Sequence, residues 1–501
     1  MLFNSYLFVF VFFPVVLLVW YGGSRLGLQK LAQAALVLLS LVFYGYGHPE
    51  YIVLILASVF GNYLISWLME RFGERGQKPE RVYRILGIFG IAFNLGLLFY
   101  FKYYDFFVRN INQVIDTGLT VKNIALPLGI SFFTFQQISF IVDRMCRRAS
   151  HYAMLDYMNF VTFFPQLVAG PIVSHKDLVP QFRRIGTDAG ALFRRADWMR
   201  EGRSPMEMGA CLFIAGLAKK VLLADKLGVV VDYGYGNIAG LDAVSAFVVM
   251  LCYTFQIYFD FSGYCDMAVG LGWMLHINLP QNFNSPYKSL SIKEFWNRWH
   301  ITLNEFFTQY IYIPLGGSRC GQVKRLRNIM IVFFISGIWH GAAWSFVLWG
   351  VAHGVLMCME PLFGKLHKWV RWLITFSFVN LAWVLFRSGS ISVAVQFYRK
   401  LFSFSYTGAV WELAGQTEAS WNYPGRLLLE RVGAEGLAAG YPMLILLLLL
   451  GLSAFFCTRK NAYESVCARE ASSVKIWVLA LLFAFSVLSF AGVTKFLYFN
   501  F

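Results

Sequence analysis

From Leu2 to Tyr21 the chain carries no charged side chain, and apolar stretches of this kind recur along its length. That recurrence constrains the fold more than any other feature. The hydrocarbon core of a bilayer is about 30 Å thick, and a helix crosses it with roughly 20 apolar residues. Backbone groups at that depth find no water, so they must be satisfied within a helix or a closed barrel. Composition agrees. Residues of the AVILMFWYC class make up 58% of the chain, against roughly 45–50% in soluble proteins. Charged residues are 14%, and mean hydropathy is +0.57. The expected fold is all-α and polytopic, with about 10–12 transmembrane helices.

The net charge is +16. In a soluble chain this would raise nucleic acid as a partner. Here the basic residues sit in short loops between apolar runs, which is the pattern of positive-inside topology. No nucleic-acid partner is expected. A basic face also suits membrane lipid and an anionic cytosolic donor. The eight cysteines contain no CxxC pair, and no His/Cys cluster has zinc spacing. Neither a disulfide framework nor a metal site is expected. The first apolar run lacks a positive leader and an A-x-A site, so it reads as a retained helix.

The loop charges assign sides to the spans. Spans are expected near 5–22, 31–46, 50–69, 85–107 and 124–143. Arg71, Arg75, Lys78, Arg81 and Arg84 place one loop in the cytoplasm, and Arg144, Arg147 and Arg148 place another. The N-terminus is then outside. Residues 157–174 are apolar but contain Pro165, Gly170 and Pro171, and both flanks are basic. One crossing would break the charge rule, so a re-entrant segment is expected. Broken backbone is tolerated at depth where protein buries it or a cavity lies beside it. Residues 206–231, interrupted by Lys219, Lys220, Asp225 and Lys226, read as part span and part interfacial helix. Residues 301–315 read as a second re-entrant or surface segment. The run 329–363 has cytoplasmic flanks and is expected to cross twice, bending near Gly341 or further on. Spans near 372–387, 441–457 and 476–496 follow, with 405–440 as an outside loop.

Ionisable groups inside apolar runs are costly and point to function. His340 lies twelve residues into one, between Gly337 and Gly341. Absent side chains there let a substrate or another backbone approach. Trp339 and Trp344 are candidate walls. An imidazole can take and return a proton near neutral pH, although a packed structural histidine fits the local sequence as well. His300 ends Lys293-Glu-Phe-Trp-Asn-Arg-Trp-His300. Arg298 and Lys293 suit the phosphates of an anionic donor, while Trp296 and Trp299 equally suit an interfacial helix. Asp260 and Asp266 do not share a helical face, so pairing with a lysine or arginine, or capping of a helix broken at Gly263, is the simpler reading. His353 could line the same cavity as His340 but reads more simply as a core group, and Gln136 and Gln137 read as interhelical hydrogen-bond donors. There is no GxxxxGK[ST], Rossmann fingerprint, HExxH or G-x-S-x-G. ATP-driven transport and serine hydrolysis lose support.

Seven segments together resemble the membrane-bound O-acyltransferase family, and within it the bacterial alginate O-acetyltransferase branch. They are Pro127–Gln136 (PLGISFFTFQ), Phe163–Pro171 (FFPQLVAGP), Asp260–Asp266 (DFSGYCD), Leu279–Pro286 (LPQNFNSP), Phe295–His300 (FWNRWH), Tyr312–Arg319 (YIPLGGSR) and Gly337–Trp344 (GIWHGAAW). Order and spacing match over roughly residues 1–400, and the tail Phe490–Phe499 also looks like this branch. After His300 the chain reads Ile-Thr-Leu-Asn-Glu305 where the branch has a Ser-rich version ending in Arg.

The resemblance implies one integral membrane domain over 1–501, with N-terminal helices in 1–120, the catalytic motifs in 121–400, and a loop and C-terminal helices in 401–501. It implies re-entrant segments around a funnel or tunnel, His340 as the central catalytic histidine and His300 as the second essential position. Arg298, Trp339, Asp260 and Asp266 are the expected supporting or donor-binding residues. The implied donor is acetyl-coenzyme A as substrate, with no bound cofactor. The implied acceptor is a cell-surface polysaccharide, with a periplasmic acetyltransferase as partner and the bacterial inner membrane as location. Two alternatives stay open: a D-alanyl transferase fed by a carrier-protein thioester, and a non-enzymatic transporter or channel.

Overall fold

The computed structural model describes residues 1–73, 79–115, 117–188, 190–194, 204–421, 430, 435–468, 472–490 and 497. Among these there is helix but no strand, and one isolated bridge joins Phe283 to Trp299. Seven helices are long and apolar enough to cross a bilayer: Phe8–Arg25, Glu50–Gly73, Glu80–Val114, Ala243–Met274, Trp344–Phe363, Lys368–Arg387 and Gly440–Thr458. The shorter apolar helices Gln29–Gly45 and Ser473–Leu488 accompany them. The chain is therefore an all-α, multi-pass membrane protein.

The chain divides into two compact units. The first holds Met1–Phe213, Met267–Gln281 and Glu305–Pro314. Its core includes the rings of Phe3, Phe8, Phe12, Phe43 and Phe164, 5.0–6.4 Å apart where they meet. Polar pairs join helices at depth. Gln137 Nε2 donates to Ser58 Oγ at 2.8 Å, and Asn62 and Asn94 exchange amide bonds. Two of the sequence motifs meet here. Gly129 has φ +72°, and a Cβ on it would lie 2.6 Å from Leu167 O. The glycine thus meets a left-handed corner and a close backbone at once. The segment expected to re-enter is broken: helices Met154–Thr162 and Phe164–Leu167 are followed by irregular chain to Ser174.

The second unit holds Ile214–Asp266, Asn282–Asn304 and Leu315–Phe501. Helix Gln322–His340 ends at the expected place, and helix Trp344–Phe363 packs back along it. A Cβ on Gly337 would meet Phe346 O at 2.5 Å, and one on Gly350 would meet Phe333 O at 2.3 Å. The space beside His340 that glycine creates is therefore filled by the neighbouring helix, not left for substrate.

Two expectations are corrected. Helix Ala243–Met274 runs unbroken through Gly263, because that glycine packs under Gly216 O, 2.7 Å from where a Cβ would sit. The stretch read as an outside loop contains helix Val410–Trp421, which packs on helices Asp225–Gly236 and Glu435–Thr458.

Candidate active site

Helix Ile292–Arg298 opens with a capped first turn. Ser291 Oγ accepts from Glu294 N at 3.1 Å, and Leu290 N donates to Glu294 Oε2 at 2.9 Å. The helix stops at Trp299, and the next residue, His300, has φ +46°. A non-glycine residue in the left-handed region is uncommon, and such strain concentrates at functional positions. The corner is held by Asn282. Its Oδ1 accepts from the Thr302 backbone N–H at 3.2 Å and from Thr302 Oγ1 at 3.0 Å, and its carbonyl accepts from Ile301 N at 3.0 Å.

The Thr302 N–H can only donate, so Oδ1 of Asn282 is fixed as an acceptor. His300 Nδ1, 3.2 Å from the same oxygen, must then carry the proton, and its Nε2 presents a lone pair. His300 is 0% exposed, with Phe261 edge-on at 4.8 Å. Burial pushes its imidazole down to about 3, so the ring is neutral at physiological pH.

His340 is the last residue of its helix and is 2% exposed. Three aromatic rings surround it nearly edge to face: Trp339 at 4.8 Å, Trp349 at 4.9 Å and Phe386 at 5.2 Å. Trp339 also lies 6.1 Å from His300, so one indole neighbours both histidines. Trp344, expected as a wall, is 55% exposed. The reason is position: Trp344 begins the second helix, whereas Trp349 lies more than a turn in. Trp349 and Phe386 were not foreseen, because only tertiary packing brings them to His340. His353 is a core group as expected. Its Nδ1 accepts from Trp296 Nε1 at 3.2 Å, among Phe333, Trp349 and Phe378.

The supporting residues divide. Arg298 makes an i,i+4 pair with Glu294 at 3.0 Å and donates to Asn284 O at 3.1 Å. It thereby fastens the loop that carries Asn282. Asp260 and Asp266 are paired with lysines. Lys220 Nζ lies 2.5 Å from Asp260 and 2.7 Å from Asp225, and Lys219 Nζ lies 2.6 Å from Asp266. Leu497 N also donates to Asp260 at 2.9 Å. The lysines start a π-helical stretch, Lys219–Ala224. No group of three His, Cys, Asp or Glu arranged for a metal occurs among the described residues.

One cluster in the first unit was missed. Buried Asp143 meets His175 Nε2 at 3.1 Å, Lys176 Nζ at 2.7 Å and the Tyr310 hydroxyl at 3.3 Å, while the Tyr152 hydroxyl lies 2.8 Å from His175 Nδ1. The signal was present, since Asp143 closes an apolar run. It was hidden by Arg144, Arg147 and Arg148, which read as topology.

The second unit thus buries two histidines in a membrane helix bundle, one enclosed by three aromatic rings and the other oriented by Asn282, with Trp339 near both. Residues 146–394 match the sequence profile of the membrane-bound O-acyltransferase family. The chain is 38% identical over 430 residues to a peptidoglycan O-acetyltransferase of Helicobacter pylori, covering 79% of each chain. It is 36% identical over 432 residues to a probable alginate O-acetylase AlgI of Pseudomonas aeruginosa, covering 84% of this chain and 78% of that one. A teichoic acid D-alanyltransferase of Bacillus subtilis is 30% identical over 286 residues, 53% of this chain and 69% of its own. The chain belongs to the membrane-bound O-acyltransferase family and is an O-acyltransferase.

Proposed function

We propose that the protein transfers acetyl from cytosolic acetyl-coenzyme A to a hydroxyl of a cell-surface polysaccharide, or to a periplasmic acetyltransferase that completes the transfer. The observation that carries this reading is the aromatic enclosure of His340 beside His300. Neutral His340 removes the proton from the acceptor hydroxyl as its oxygen attacks the thioester carbonyl. The new C–O bond forms, the C–S bond breaks, and the imidazolium returns its proton to the departing thiolate. The products are an O-acetyl ester and free coenzyme A. His300, protonated at Nδ1, accepts through Nε2. That suits it to orient a donor N–H or the acceptor hydroxyl rather than to stabilise an oxyanion. The apolar walls exclude water and so limit hydrolysis of the donor.

The names of the relatives support an acetyl donor with a glycan acceptor and leave peptidoglycan and alginate as the first acceptors to try. The shorter match to the D-alanyltransferase keeps a carrier-protein donor as the second reading. The basic loops support an inner-membrane location with the N-terminus outside.

The test is transfer from labelled acetyl-coenzyme A in proteoliposomes. His340→Ala should abolish transfer, a loss of at least about 10²-fold, while leaving the protein folded. Full activity in His340→Ala would remove it as the base. Ion or solute flux without thioester turnover in the wild type would overturn the enzyme mechanism.

A further inference from the structure

The second unit contains an apolar groove of about 620 Å³, remote in sequence from His340 and independent of its assignment. One wall is a single stripe of helix Glu435–Thr458: Ile445, Leu448, Leu449, Leu452 and Phe456. These positions follow helical spacing. Facing them are Leu222 and Leu223 of the π-helical stretch and the ring of Tyr258.

The groove has a polar end. Lys219 and Lys460 line it. Lys288 Nζ donates to Arg459 O at 2.5 Å. Lys219, Lys288, Arg459 and Lys460 therefore gather where the apolar stripe stops. Asp266 answers Lys219, and Glu464 Oε2 accepts from Asn461 N, so the rim keeps an excess of positive charge. From Ile445 to Phe456 the stripe runs about 16 Å at about 1.5 Å per residue. That is half of a hydrocarbon core about 30 Å thick, the depth of one leaflet. A partner helix would need a seam about twice as long.

We propose that this groove is a binding site for one membrane glycerophospholipid with an anionic headgroup, its acyl chain along the leucine stripe and its phosphate at Lys460 and Lys219. Basic residues at a span's end attract anionic headgroups in this way.

The test uses the full-length protein in phosphatidylcholine vesicles doped with phosphatidylglycerol carrying a diazirine in one acyl chain. A phosphatidylcholine probe with identical chains serves as the second arm. The expected result is adducts on the Ile445–Phe456 stripe, several-fold more from the phosphatidylglycerol probe. Leu448→Trp fills the groove and should remove these adducts. Lys460→Glu should keep adducts but erase the preference for the anionic probe. Both side chains are exposed in the structure, and matched unfolding curves will verify that the variants fold. Equal labelling by the two probes overturns the charge recognition. Unchanged labelling of Leu448→Trp overturns the site.

Discussion

Asn282 Oδ1 takes three donors at one atom, from His300 Nδ1, Thr302 N and Thr302 Oγ1. Losing it strands buried donors at about 1–3 kcal/mol each and releases the His300 ring. Asn282→Ala should therefore cost stability and lower acyl transfer by about 10²-fold, the penalty of a small misplacement. Asn282→Asp keeps the acceptor and should retain more activity. Transfer rates read beside thermal unfolding will separate the two effects. Trp349 is a wall rather than a proton carrier. Trp349→Ala leaves a large cavity next to His340, costing about 3–5 kcal/mol, and opens the site to water. Hydrolysis of acetyl-coenzyme A should rise relative to transfer, and the ratio of free acetate to acetyl ester measures it. A ratio unchanged in a folded variant would reject the wall. Asn282, Trp349 and Phe386 were not legible in the sequence as site residues. An asparagine in a Pro-rich loop and two aromatics in apolar helices look like hundreds of others until packing brings them to a histidine.

At the scale of elements, consecutive lysines fasten one helix to another. Lys220 stands between Asp225 and Asp260 with almost no exposure. Removing one partner of a buried ion pair typically costs about 3–5 kcal/mol. Lys220→Met should cost at least that much, because it takes the cation from two buried carboxylates. Lys219→Met with Asp266→Leu should cost less than either change alone, and a double-mutant cycle on unfolding free energy reads the coupling. Pairing with a cation was one of the two readings the sequence offered for Asp260 and Asp266, and it is the one the structure has. The sequence also called for a bend near Gly341 or further on, since both flanks of 329–363 are basic, and the helix does end at His340. The other reading of the aspartates, capping of a helix broken at Gly263, does not hold, because a glycine in a helix can mark close packing as well as a kink. Helix Val410–Trp421 was missed because its surroundings are too polar to read as a span.

For the whole molecule, Asp242 ties segments far apart in the chain. Its carboxylate accepts from Ser245 N at 2.8 Å, Thr407 N at 2.7 Å and Gly408 N at 3.2 Å. Burial alone would raise its pKa, but these bonds outweigh it and hold the carboxyl well below the usual range. A depressed folded-state pKa stabilises above the unfolded value near 3.9 and is lost as pH falls through the folded one. Unfolding should become easier below about pH 5, and Asp242→Asn should flatten that acid limb while lowering stability at neutral pH. Sidedness has its own reporter. Cys146 is exposed beside Arg147 and Arg148, so an impermeant maleimide should reach it in inverted membrane vesicles and not in intact spheroplasts. The helical, multi-pass architecture was legible because a bilayer imposes one length on every span. The Asp143 cluster was not, since the same charges that report topology concealed it.

The left-handed corner at His300 has a consequence for how variants there are read. Position 300 carries two separable specifications, a backbone shape and an imidazole. Alanine fails both, so its phenotype mixes a relaxed corner with missing chemistry. Asparagine tolerates the positive φ while lacking a ring. In a saturation library, asparagine and glycine should then form a class of their own: well expressed, natively assembled and inactive. That class would separate what the fold demands at this position from what the reaction demands.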